Sequence, residues 1–408
     1  MGAFSIFTSR KHQVHKETQN VNEYYEKIAK RIGILKYASL FMLIVLIIFG
    51  FTFYNSELTI ENFRYMLKFM SIDSPTTNTV GTKIEYNSDE NAIYKMLNGD
   101  MAILSTDGLQ IYTMNNQCVL RDNTLYSDPI SKTNGKHLIV TDRNSNLFKI
   151  YSAYSLLYEQ KTKYPILDVF ACNSGNFGII TSAMGYKSGI EIYDKEFRLI
   201  YKFYFAEKYI DSACLSDDGK TVCVSTITNN SDGDFIGGFS IFDISNEVQP
   251  VKTFSFPDEV AIYSQFFSDD SYVLVTNKNF RIYSKDGLLQ NTLSIDKRKA
   301  ELFEFSDDYF VVTFHSEVLS NAKTVEIYSR KGEYIMSRNI KNDVSKIDII
   351  GNSAYLFSIG TLFTIDITSA EPDKTSEVGG DYRCMLEDTD NSQIIIVKQS
   401  TAEIYKQK

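Results

Sequence analysis

From residue 82 to the C-terminus, apolar and polar positions alternate in short runs broken by Asp, Gly, Asn and Ser. Period-two runs of this kind predict half-buried strands joined by tight turns. One run keeps returning: LQIYTM, LFKIYSA, IEIYDK, FSIFDI, FRIYSK, VEIYSR, LFTIDI and AEIYKQ, with its central Ile at 111, 150, 192, 241, 282, 327, 365 and 404. The successive spacings are 39, 42, 49, 41, 45, 38 and 39 residues, the period of a four-stranded propeller blade. Each copy follows a turn and a nearly continuous apolar run, such as GKHLIVTD, GKTVCVST or DSYVLVTN. A strand covered on both faces needs such a run, so it is predicted as the second strand of each blade, with Ile-Tyr marking the third.

The eighth copy has three strand-like runs and no fourth, whereas an additional one, TKIEYN (82–87), precedes the first. Placing it as the outer strand of the last blade accounts for every run. The expected fold is therefore all-β, an eight-bladed β-propeller over 82–408 closed by its N-terminal strand. Seven blades with an accessory hairpin is the alternative, because TIDI is the poorest copy, and a β-sandwich is the plainer rival. Radial repetition leaves no long sheet edge exposed.

Before residue 82 the pattern is different. Between Lys36 and Glu57 runs an uncharged stretch of 20 residues, YASLFMLIVLIIFGFTFYNS (37–56), which as a helix spans about 30 Å and predicts a transmembrane segment. Tyr37, Phe51, Phe53 and Tyr54 lie near its ends, where aromatic rings favour the interface. A cleaved signal peptide fits less well, since 36 residues precede the run and no small-residue cleavage site follows it. Residues 1–36 form a basic tail in which Tyr24, Ile28, Ile32 and Leu35 recur at helical spacing, and 57–81 read as a juxtamembrane helix and a linker.

Charge gives the orientation. The chain carries −9 overall, but residues 1–36 hold seven Lys/Arg against three Asp/Glu, or +4, which leaves −13 for the remainder. The positive-inside rule then predicts a single-pass plasma-membrane protein with a cytoplasmic N-terminus and an extracytoplasmic propeller, its first partner being the lipid bilayer. An acidic domain also argues against nucleic acid.

Candidate chemistry is sparse. Four His are scattered, and no metalloprotease, P-loop, C-x-x-C or G-x-S-x-G motif occurs, so no catalytic, cofactor-binding or metal residue is assigned and no cofactor is expected. The pairs Asp217-Asp218, Asp269-Asp270 and Asp307-Asp308 fall at expected hairpin turns, where Asp is favoured by backbone geometry. Asp168, Asp211 and Glu304 lie on expected innermost strands and form a candidate ring of funnel carboxylates with no His or Arg beside them. Counting back from the turn at Asp218-Gly219 sets Cys214 opposite Cys223, a geometry that permits a strained disulfide; buried reduced thiols are the simpler state, Cys118, Cys172 and Cys384 also lying in apolar strand contexts. Three second-to-third-strand connections are long, 182–189, 226–238 and 315–323, and would build up one sector of one face. Tyr186, Lys187, Asp232, Asp234, Phe235, His315 and Glu317 on them are the candidate partner-binding residues.

The basic tail, single span and xIY-marked repeats resemble single-pass membrane proteins of Gram-positive Firmicutes whose propeller is a domain of unknown function, and the fold resembles WD-type and quinoprotein-like propellers. Trp is absent, so neither the Trp-Asp dipeptide of WD repeats nor the Trp docking motif of quinoproteins is present. The resemblance implies location and fold, and it carries over no catalytic residue. The expected function is that of a non-catalytic scaffold or sensor for an envelope protein or peptide; the alternative is a glycan- or ligand-binding protein or enzyme working through the funnel.

Overall fold

The computed structural model describes residues 25–45 except 27, and 83–406 except 135, 246–248, 299, 316–321, 370–372 and 389–392. The chain divides into two units, 1–75 and 76–408. In the first, residues 28–45 form a helix. Among the described residues no helix is long and apolar enough to cross a membrane. Positions 46–56 of the expected span, the first 24 residues of the tail and the expected linker lie outside the described residues.

The second unit is a ring of eight four-stranded antiparallel sheets. Blades 1 to 7 occupy 93–122, 129–161, 166–205, 209–257, 261–294, 300–340 and 346–377, each with its strands in chain order from the centre outward. Blade 8 takes Tyr382–Asp388, Gln393–Lys398 and Thr401–Lys406, and its outer strand is Lys83–Glu85. The expected closure is present: Ile84 lies opposite Ala402 and is fully buried, and the Tyr86 hydroxyl donates to the carbonyls of Lys398 (2.5 Å) and Thr401 (3.0 Å). Two distant stretches of chain thus share one sheet, and the ring has no seam open to another strand.

The Ile-Tyr repeat has a direct structural cause. Its Ile is buried in all eight blades. Its Tyr stands opposite the first apolar residue of the second strand, so Phe177 pairs with Tyr193, Tyr272 with Tyr283, and Phe310 with Tyr328. These rings stack at centroid distances of 5.0, 5.2 and 5.1 Å, the offset arrangement that aromatic quadrupoles favour. In four blades the hydroxyl donates to a residue two positions back in the same strand, Tyr112 to Gln110, Tyr193 to Glu191, Tyr328 to Glu326 and Tyr405 to Glu403, whereas Tyr151 donates to Asp122 of blade 1. Phe280 stacks on Phe310 at 5.8 Å and carries the aromatic contact from blade 5 into blade 6. In blade 7 the corresponding pair is Ser353 and Asp366, which is why its sequence copy is the poorest although its sheet is complete.

Candidate functional site

Blades pack on one another chiefly through their first strands, blade 8 meeting blade 1, while blades 5 and 6 share a core cluster; the first strands line a central channel. One rim of the ring, here the A face, carries the second-to-third-strand turns and the connections between blades. The opposite B face carries the other turns.

On the A face, two of the three stretches expected as long loops are extended hairpins. Blade 3 pairs Phe177–Ala183 with Tyr186–Tyr193, so only Met184 and Gly185 turn the corner. Blade 4 pairs Thr221–Asn229 with Phe235–Asp243 through nine consecutive partners. Thr226-Ile227-Thr228 is a β-branched run that continues the strand, and the turn shrinks to 230–234. There the Asn230 side chain accepts from the amides of Asp232 (2.9 Å) and Asp234 (2.8 Å) and donates to the Asp234 carboxylate (3.2 Å). Tyr186, Lys187 and Phe235 are therefore strand residues, Tyr186 paired with Ala183 and Phe235 with Asn229, while Lys187 lies at the register shift of the blade 3 hairpin. Met184 is 84% exposed, Phe235 56% and Tyr186 48%, with exposed Tyr209 and Ile262 on the same face at the starts of blades 4 and 5. His315 ends a strand of blade 6 on this face, its Nδ1 3.6 Å from Glu301, and Glu317 lies outside the described residues. The sector thus runs over blades 3, 4 and 5, with His315 set apart in blade 6.

The channel holds Asp168, Asp211 and Glu304 on the first strands of blades 3, 4 and 6. The structure adds three charged groups that the sequence pattern did not single out: Lys95 in blade 1, Lys132 in blade 2 and Asp348 in blade 7. The ring is thus of mixed sign. Burial, followed by the nearby Asp348, pushes the Glu304 carboxyl up to about 7, against the opposing pull of Lys95 and Lys132. Burial and then Lys132 pull the Lys95 ammonium down. Asp211 is raised by burial and by Asp168, and Asp348 by burial, although Asp348 accepts from the Tyr382 hydroxyl (2.5 Å) and the Met385 amide (3.2 Å). A cavity of about 410 Å³ opens along blades 2 to 6, lined by Lys132, Asp168, Asp211, Asp217, Tyr263 and Asp307 among others. The turn carboxylates Asp217 and Asp307 thus border the channel mouth. A larger cleft of about 620 Å³ lies at the closure between blades 8 and 1, remote from these charges. Among the described residues no three His, Cys, Asp or Glu are arranged to hold a metal ion.

Cys214 lies directly opposite Cys223, as the turn arithmetic requires, and both thiols are free. Cys223 is fully buried, and its thiol is pushed well up by burial and by Cys214. Cys172 is buried as expected, and Cys384 is half-buried, its thiol pushed up to about 12 by burial and then by Asp348. Cys118 departs from the expectation. It opens the outermost strand of blade 1, where one face meets solvent, and is exposed.

Residues 74–406 match the family of unknown function DUF5711, and the chain belongs to that family. No curated protein matches it. Among solved structures it is similar to BamB from Moraxella catarrhalis, at 11% identity and a TM-score of 0.52 over 80% of this chain and 98% of that one. It is similar to the Dos1 propeller, at 12% identity and a TM-score of 0.57 over 80% and 95% of the two chains, and to the C-terminal WD40 domain of Sif2, at 10% and 0.55 over 80% and 98%. Likeness at such identity establishes the propeller fold and nothing about chemistry.

Proposed function

We propose that this DUF5711 chain is a membrane-anchored, non-catalytic interaction scaffold of a Gram-positive cell envelope, which docks a protein partner on the A face of blades 3 to 5. The observation that carries this reading is the apolar tip of two lengthened hairpins: Tyr186 and Phe235 stand exposed at the ends of paired strands, and Met184 stands exposed in the two-residue turn between the blade 3 strands. Exposed apolar side chains grouped on one face of a rigid scaffold are the usual anatomy of a docking surface. Anchoring is supported by the helix over 28–45, in which Leu35, Tyr37, Phe41 and Met42 are between 66% and 73% exposed, and by the charge split of +4 before the apolar run and −13 after it. Protease added to intact protoplasts should degrade the propeller and spare the tail; protection of the propeller would reverse the orientation. Docking is tested in the full-length protein by Tyr186→Ser with Phe235→Ser, which should abolish co-purification of the partner while the melting temperature holds. Unchanged co-purification would refute the assigned face.

A second reading has one observation in its favour, the mixed-sign channel with Glu304 and Lys95 held away from their ordinary pKa ranges beside a cavity of about 410 Å³. It makes the channel a site for a small polar ligand. Ligand-dependent thermal stabilisation that Glu304→Gln removes would support it.

A further inference from the structure

The rim of blade 3 differs from the domain around it. Beyond residue 36 the chain carries −13, yet Lys163, Lys187 and Lys208 cluster on the A face around the blade 3 hairpin. None of the three has a carboxylate within ion-pair distance among the described residues, whereas Lys202 close by is neutralised by Glu191 at 2.8 Å. Instead two of them lie on tyrosines, and the Lys208 ammonium lies beside Gly238 of blade 4. The Lys163 ammonium sits over the Tyr164 ring and that of Lys187 over the Tyr209 ring, each 5.1 Å from the centroid. Tyr164 meets Tyr204 edge-on at 6.0 Å, and Tyr204 stacks on Tyr186 at 5.4 Å. The Ser188 hydroxyl donates to the carbonyl of Lys208 and ties that lysine's backbone to the same hairpin.

This platform is built into the fold. Gly189 faces Tyr204 so closely that a Cβ there would come within 2.2 Å of the ring, so the glycine lets the tyrosine lie flat on the strand. A cation over an aromatic face keeps most of its charge available to a partner, and the ring supplies flat apolar area beside it. The surface therefore asks for carboxylates interleaved with apolar or aromatic groups. An anionic lipid leaflet would offer negative charge as well, but the tip of the adjoining hairpin presents Asp232 and Asp234 on the same face and would be repelled by it. A protein segment can place acidic side chains over blade 3 and spare blade 4.

We propose that Lys163, Lys187 and Lys208, set among Tyr164, Tyr186 and Tyr209, bind an acidic segment of a partner protein. This rests on the A face being a docking surface and names the chemistry of its occupant. The test uses the full-length protein in phosphatidylcholine nanodiscs and a fluorescein-labelled peptide of alternating Glu and Tyr, with a Lys-Tyr peptide and phosphatidylglycerol vesicles as comparison arms. The acidic peptide should bind and weaken as salt rises; each single Lys→Gln change should cost about threefold in affinity, and the triple change at least about tenfold. Gly189→Ala, which displaces Tyr204 and leaves every charge in place, should also weaken it. Equal binding of the Lys-Tyr peptide, no loss in the triple variant, or binding of the vesicles in place of the acidic peptide would overturn the proposal. If no peptide binds while the Tyr186 and Phe235 substitutions still release a cellular partner, the partner chemistry fails and the docking face stands; if those substitutions release nothing either, both fail.

Discussion

The aromatic residues inside the blades and those on the A face of blades 3 and 4 are the same residue types put to opposite uses. Phe310 is fully buried between Phe280 and Tyr328, with ring centroids 5.8 and 5.1 Å away, and its contacts join two blades. Phe235 projects from an equally regular strand and is 56% exposed. The backbone pairing is alike in both places, so the ladder does not distinguish them. The distinction lies in hairpin length. Blade 7 joins Ser353–Ser358 to Thr361–Asp366 through Ile359 and Gly360 alone, whereas blade 4 carries its two strands out to Asn229 and Phe235. Residues added beyond the reach of the neighbouring blades have nothing to pack on, so apolar side chains there answer to something outside the ring.

That contrast is breakable by substitution. Phe310→Ala should cost about 3–5 kcal/mol in chemical denaturation, since it removes a buried ring from a site closed on all sides; a loss under about 1 kcal/mol would mean that the stack is not structural. The channel should respond to pH with a definite sign. A carboxyl raised from 4.5 to about 7 in the folded state keeps its proton there longer than in the unfolded chain. Its stabilising contribution is present below the ordinary carboxylate range and is lost as pH rises toward about 7. The melting temperature should therefore fall between acidic and mildly alkaline pH, and fall less in Glu304→Gln; identical profiles would remove Glu304 from the charged ring. Ile359 holds a φ of 40°, a left-handed value costly for a β-branched residue, next to Gly360 at 79°. Ile359→Asn should stabilise by about 0.5–1 kcal/mol without altering any interaction. Smallest of all, Tyr186→Ser and Phe235→Ser should each leave stability within about 0.5 kcal/mol, the opposite of Phe310→Ala.

Blade number, strand order and closure were legible because each rests on a local rule repeated many times. The Ile-Tyr spacing survives since every copy meets the same opposing position, and even Asp366 in blade 7 keeps a buried Ile365 before it. Cys214 opposite Cys223 followed from turn arithmetic alone. The channel was half legible. Asp168, Asp211 and Glu304 stood out within apolar inner strands, but Lys95 in IYKML and Lys132 in PISKT look like ordinary solvent-facing members of an alternating strand. Only closure of the ring brings blades 1 and 2 into electrostatic reach of blade 6, and no local pattern encodes that. Turn residues in NNSDGD and MGYKSG make the hairpins of blades 3 and 4 look like loops; the signal against this is the β-branched run Thr226-Ile227-Thr228, which pairs with Gly238, Gly237 and Ile236 across the turn.

Photo-crosslinking in intact cells addresses the docking face most directly. A photoreactive phenylalanine analogue placed at Tyr186 or Phe235 should give one discrete adduct, and the same analogue at Leu288, which is 64% exposed on the B face, should give none. Equal labelling from Leu288, or no adduct from either A-face position, would contradict the assignment of blades 3 to 5 as the surface through which this propeller works.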